Sequence, residues 1–139
     1  MKFLSLLAAL FIFSTNASVT DCSNGNSLFK ITSMSFSPDP TVPGKNSTLL
    51  LSMNVPEVIN GGTATYTTTY NFIPFSPTVD PLCGTVNCPI QIGTLDTYSS
   101  FPIDPSLSGS LQLKIEWKDT RQLLCVLIKT KVGQSYLQV

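Results

Sequence analysis

The sequence predicts an all-β chain, an immunoglobulin-like antiparallel β-sandwich of two sheets and six to seven strands, and three observations carry that prediction. Apolar and polar residues alternate with a period of two along several stretches, as half-buried strands require. The ten prolines fall mostly between those stretches, where a missing N–H does least harm to a ladder. No segment sustains a helical period. With 139 residues there is room for one domain and no second large unit.

The elements follow in chain order. Lys2, the apolar run Phe3 to Phe13 and the small polar stretch Ser14 to Ser18 have the make-up of a secretory signal, with cleavage expected near Ala17 or Ser18. A run of eleven residues, broken by Ser5, is too short for a membrane span, which needs about 20. Removing residues 1–18 leaves a domain of residues 19–139 that is close to electrically neutral. A weaker strand is expected from Phe29 to Phe36. Asn46 to Val55 then places Leu49, Leu51, Met53 and Val55 on one face, with Thr48, Ser52 and Asn54 on the other. Thr63 to Phe72 alternates in the same way, with Ala64, Tyr66, Thr68, Tyr70 and Phe72 sharing a face. A second weak strand spans about Leu95 to Ser100. In Leu111 to Lys118 the residues Leu111, Leu113, Ile115 and Trp117 point inward, and Asp119-Thr120-Arg121 turns the chain into Leu123 to Thr130 as a hairpin.

Charge and residue types then narrow the function. Eight basic and eight acidic side chains make up 12% of the chain, so no basic field exists to hold a nucleic-acid backbone. The absence of His removes the usual base at neutral pH, the Ser-His and Cys-His pairs and most zinc sites. Glu116 and Asp119, beside Lys118 and Arg121, read as a solvated polar face rather than a buried acid dyad, and Asp39, Asp80, Asp96 and Asp104 lack the spacing of a calcium loop. No catalytic residue, metal or cofactor is expected.

In an oxidising compartment the four cysteines are expected to pair. Cys83 and Cys88 enclose a short turn-like loop and make natural partners, which leaves Cys22 with Cys125, tying the first strand to the last. Four thiolates on one zinc would need a second close Cys pair, and a redox motif would need two intervening residues instead of four. Asn46-Ser47-Thr48 is a glycosylation sequon at a strand start. Apolar residues lodged in proline-bearing loops are the remaining oddity: Phe72-Ile73-Pro74-Phe75, and Phe101-Pro102-Ile103 with Leu107. Loops are ordinarily polar, so these clusters either cap the core or line the mouth of an apolar cavity.

Asp21-Cys22, Ser37-Pro38-Asp39-Pro40, Pro74-Phe75 ahead of Cys83, Asn87-Cys88-Pro89-Ile90, Phe101-Pro102-Ile103, Ile115-Glu116-Trp117 and Cys125 occur in an order that resembles the secreted ML-domain lipid-recognition family, sterol carriers of Niemann-Pick type C and phosphatidylglycerol/phosphatidylinositol transfer proteins among them. The resemblance covers about residues 21–132. It implies a sandwich that holds a lipid between its sheets and supports both cysteine pairings. It makes Phe75 a residue of the pocket mouth and Ile103 an aliphatic pocket residue. Leu107 stands where the sterol carrier has a tyrosine, and Val126 where it has an aromatic. A third disulfide, frequent in the family across Pro38 to Gly44, is missing. The implied entrance is Phe72, Phe75, Ile103 and Leu107, with walls from Tyr66, Tyr70, Tyr98, Leu113, Ile115, Trp117 and Val126. The expected protein is a non-enzymatic monomer, secreted or delivered to the lysosomal or endosomal lumen. It touches membranes transiently and transfers a lipid, a phospholipid in preference to a sterol. The competing expectation is a closed recognition or adhesion module that works through its outer surface.

Overall fold

The computed structural model describes residues 17–38 and 41–132. The expected signal at 1–18 lies outside them except for Ala17 and Ser18, as do Asp39, Pro40 and the tail 133–139. Nine strands are formed among the described residues: β1 (Ser18–Asp21), β2 (Lys30–Ser37), β3 (Asn46–Val55), β4 (Thr63–Tyr70), β5 (Ile73–Pro74), β6 (Thr78–Pro81), β7 (Gly93–Pro102), β8 (Gly109–Lys118) and β9 (Gln122–Val132). One 3-10 turn, Leu82–Gly84, follows β6. The larger sheet runs β1-β9-β8-β4-β5, with β6 also on β4, and the smaller runs β2-β3-β7. Every strand pairing is antiparallel.

All six alternating stretches are strands, and β3 has the expected bounds. The count of six to seven falls short by β1, β5 and β6, four residues or fewer each. Strands this short give no readable period of two, and Pro74 and Pro81 are tolerated because β5 and β6 have only β4 as a partner. The strand expected to run to Phe72 ends at Tyr70, because Asn71 (φ 49°) and Phe72 (φ 68°) turn the chain into β5.

Alternation builds the core. Leu49, Leu51, Met53 and Val55 of β3 pack against Ile115 and Trp117 of β8 and Leu124, Val126 and Ile128 of β9, all buried. Phe29 meets Trp117 edge to face, with centroids 6.3 Å apart. Both expected disulfides are present, Cys22–Cys125 and Cys83–Cys88.

The two layers are sewn together along one side. At the end holding the β8–β9 turn, the N–H groups of Leu28 and Phe29 donate to the carbonyls of Gln122 and Leu123, at 3.0 and 2.9 Å. At the opposite end, Thr41 before β3 meets Thr130 of β9 through their hydroxyls, 2.7 Å apart and buried. The Thr130 hydroxyl otherwise reaches just the Lys131 carbonyl, at 3.4 Å, so removing the Thr41 hydroxyl leaves it poorly satisfied. Thr41→Val is expected to cost about 1–2 kcal/mol in urea denaturation, while Thr41→Val with Thr130→Val costs less than the single change. A double variant as damaged as the sum of two singles would contradict the pairing.

Candidate functional site

At the Thr41–Thr130 end the sheets do not meet completely and leave an apolar cavity of about 210 Å³. Leu111 and Leu113 of β8 and Ile128 and Thr130 of β9 form its wall on the larger sheet, with Thr68 of β4 beside them. Phe36 of β2, Phe101 and Pro102 of β7, and Ile103 and Leu107 of the following loop close the other side. Parity explains the set. Leu111 and Leu113 continue the inward face of Ile115 and Trp117, and Ile128 and Thr130 that of Leu124 and Val126, but no larger residue from the smaller sheet fills the space between them.

Among the described residues no titratable side chain lines this cavity, and Thr68 and Thr130 hold its only side-chain hydroxyls. Thr130 is already bonded to Thr41. The interior therefore has little with which to fix a charged group and much with which to shelter hydrocarbon. The shifted carboxylates lie elsewhere. Arg121 bonds Asp119 at 2.8 Å and holds its carboxyl below the usual range, and Ser106 does the same for Asp104. Arg121 also reaches Glu57 at 2.9 Å, and Glu116 lies 3.9 Å from Lys114, so the acids near the β8–β9 turn sit on a solvated charged face.

The rim is built by the β4–β5 turn. The Tyr70 hydroxyl donates to the Ser108 carbonyl at 2.8 Å and accepts from the Ser108 N–H at 2.9 Å. Asn71 Oδ1 accepts from the Ser110 N–H at 2.8 Å, and the Asn71 N–H donates to the Ser110 carbonyl at 2.8 Å. Gly109 (φ 119°) passes so close that a Cβ there would strike the Asn71 side chain. These contacts fasten the loop carrying Ile103 and Leu107 to the end of β4. They leave Phe72 85% exposed, Ile73 63% and Phe75 52%.

Phe72 is costly where it stands. A two-residue hairpin turn with positive φ at both positions favours Asn-Gly, and a bulky side chain in the left-handed region costs about 1 kcal/mol or more. Since Phe72 buries almost nothing in the chain itself, Phe72→Gly is expected to raise stability by about 1 kcal/mol in thermal denaturation. Unchanged or lower stability would mean that the ring packs on the protein after all.

The expected site residues divide into four groups. Ile103 and Leu107 line the cavity, and so does Leu113. Tyr70, Phe72 and Phe75 stand at the same end, on a hairpin whose Phe75 N–H donates to the carbonyl of the cavity residue Thr68, at 2.8 Å. Trp117, Val126 and Ile115 lie deeper in the packed core, while Tyr98 is 70% exposed on the outer face opposite Leu50. Tyr98 is therefore turned away from the cavity, because outward parity along β7 falls on Thr94, Asp96 and Tyr98. Phe36, Thr68, Leu111, Ile128 and Thr130 were not singled out as site residues. Each lay within an expected strand, and inward parity next to the proline loops was the signal that marked them. The cysteine loop, between the two apolar segments in sequence, folds to the opposite end, where Leu82 bonds Gly62 and Ile90 pairs with Ile59.

Comparison with known proteins agrees with this geometry. The chain is 27% identical over 124 residues, 83% of its length and 80% of the relative's, to a Dictyostelium discoideum protein provisionally named phosphatidylglycerol/phosphatidylinositol transfer protein 1. Its fold is similar to that of a Niemann-Pick type C2 protein from Japanese carpenter ant, with TM-score 0.62 and 15% identity over 84% of this chain and 99% of that one. It is likewise similar to chicken MD-1 complexed with lipid IVa, with TM-score 0.59 and 13% identity over 88% and 93% of the two chains. The family model described as ML domain matches residues 16–132, a span that takes in the whole of the described sandwich, and on that match the chain belongs to the ML-domain family.

Proposed function

We propose that this chain is a secreted lipid carrier that takes one lipid from a membrane, shelters its hydrocarbon between the sheets and delivers it to another membrane. The observation that carries the reading is the apolar cavity with no titratable lining, placed at the end where Phe72, Ile73 and Phe75 are exposed. Binding is noncovalent. Burial contributes about 0.8 kcal/mol per CH2, so about ten methylenes match a micromolar affinity before the costs of association. The cavity of about 210 Å³ is below the roughly 300–1,000 Å³ of ordinary ligand sites, so the layers part to admit a whole lipid. The named relative and the apolar Leu107 favour a phospholipid such as phosphatidylglycerol or phosphatidylinositol over a sterol. The signal at residues 1–18, two disulfides and the exposed sequon residue Asn46 fit passage through the secretory pathway.

Native mass spectrometry of the protein from a lipid-rich host, joined to a liposome transfer assay, tests the reading. A co-purified phospholipid and transfer that accelerates with protein are expected. A bare mass with no transfer would sink the carrier and favour a module acting through its outer surface.

A further inference from the structure

The edge of β7 borders a second groove, of about 440 Å³, that shares no residue with the apolar cavity. Six consecutive residues, Thr94 to Ser99, line it. Thr94, Asp96 and Tyr98 belong to the exposed face of the strand, and Leu95, Thr97 and Ser99 to the half-buried one. Only the hydrogen-bonding edge of a strand is flanked by both sets, so the floor of this groove is backbone N–H and C=O.

That edge is unusually open. β7 pairs residue for residue with β3 along its whole length, with no bulge, and no other strand pairs with it among the described residues. Exposed edges are ordinarily blunted by Lys, by Pro or by a bulge. Residues 94–100 contain none of these. The opposite wall is the segment from Thr85 to Ile92, fixed by the Cys83–Cys88 disulfide and by reciprocal backbone bonds between Ile59 and Ile90 at 3.0 and 2.7 Å.

We propose that this groove takes one extended peptide segment of a partner protein, which adds to β7 as a strand. The segment Thr85–Ile92 flanks the groove opposite the edge, so an occupant pairs with β7 as one strand, and a second copy's β7 is the alternative that the test excludes. Ile92, 64% exposed, is the apolar side chain that the wall presents, so the segment carries an apolar residue opposite it and, as a strand, others at alternate positions. Asp96 is the one charged residue in the described lining, its carboxylate oriented by the Ser52 hydroxyl that donates to Oδ1 at 2.6 Å, and that charge calls for a Lys or Arg on the segment beside it.

The test is a random twelve-residue peptide library displayed on phage and panned on the full mature chain. Enriched peptides are then synthesised for fluorescence anisotropy and amide exchange by NMR. Enriched sequences are expected to alternate apolar residues and to contain a basic one. In the free chain, alternate amides of 94–99 exchange quickly, and each bound peptide slows them at least tenfold. Asp96→Lys is expected to weaken binding about tenfold at an unchanged melting temperature, with Asp96→Asn intermediate. The proposal is overturned by slow exchange of those amides in the free chain, which would mean that the chain or a second copy already covers the edge. It is equally overturned by an empty selection, by peptides that bind and leave the β7 amides unchanged, or by binding indifferent to Asp96. Lipid transfer is read separately, so either reading can fail without the other.

Discussion

Replacing both Cys22 and Cys125 by Ser is expected to lower the stability of the domain by about 4.7 kcal/mol, the chain-entropy value for a closed loop of about 100 residues. The two cysteines are 103 residues apart, so nearly the whole sandwich lies inside that loop. Small domains have only about 5–15 kcal/mol in total, so the variant stands near the limit of folding at 37 °C. The Cys83–Cys88 pair is 5 residues apart, and the same model gives it only about 2 kcal/mol. Guanidinium denaturation of the two double variants decides between them. Equal losses would show that strain or residual structure, not loop length, sets the value. In acid, the depressed carboxyls of Asp104 and Asp119 stabilise the fold above their ordinary range, and that contribution fades as pH falls below about 4.

The second large effect concerns the ligand. Leu107 lines the cavity from a loop, is half-buried and has no strand partner, so Leu107→Asp leaves the core intact. It does place a carboxylate against the path of a hydrocarbon chain. The desolvation of an unpaired charge amounts to several kcal/mol, so binding of a fluorescent phosphatidylglycerol is expected to fall at least a hundredfold. Leu107→Ala serves as the control and loses only contact area. Comparable affinities for Leu107→Asp and the parent chain would remove this cavity as the lipid site.

How much of this was legible before folding depends on what each residue encodes locally. Strands with a clean period of two, such as Leu49 to Val55 and Leu111 to Trp117, declare both the element and its inner face. β5 and β6 do not, since two and four residues with a proline carry no period, and only pairing to β4 makes them strands. The cavity was half legible. Ile103 and Leu107 stood out as apolar residues in a proline loop, and family resemblance pointed to the same pair. Ile128 and Leu111 look identical in sequence to Val126 and Ile115, yet the former line a void and the latter are packed, because that depends on what the opposite sheet supplies. Tyr98, expected among the walls, stands outside because its parity along β7 puts it on the outer face opposite Leu50.

The one-sided stitching of the layers has a kinetic consequence. The bonds from Leu28 and Phe29 to β9, and the Thr41–Thr130 contact, hold β2 to β9 at both ends. In the proposed carrier a lipid would leave through a local opening at the other side, where the Tyr70–Ser108 and Asn71–Ser110 bonds part and release the Leu107 loop from the β4–β5 hairpin, and not by unfolding of the sandwich. Local openings lie well below the global free energy, so residence time and thermal stability become separately adjustable quantities.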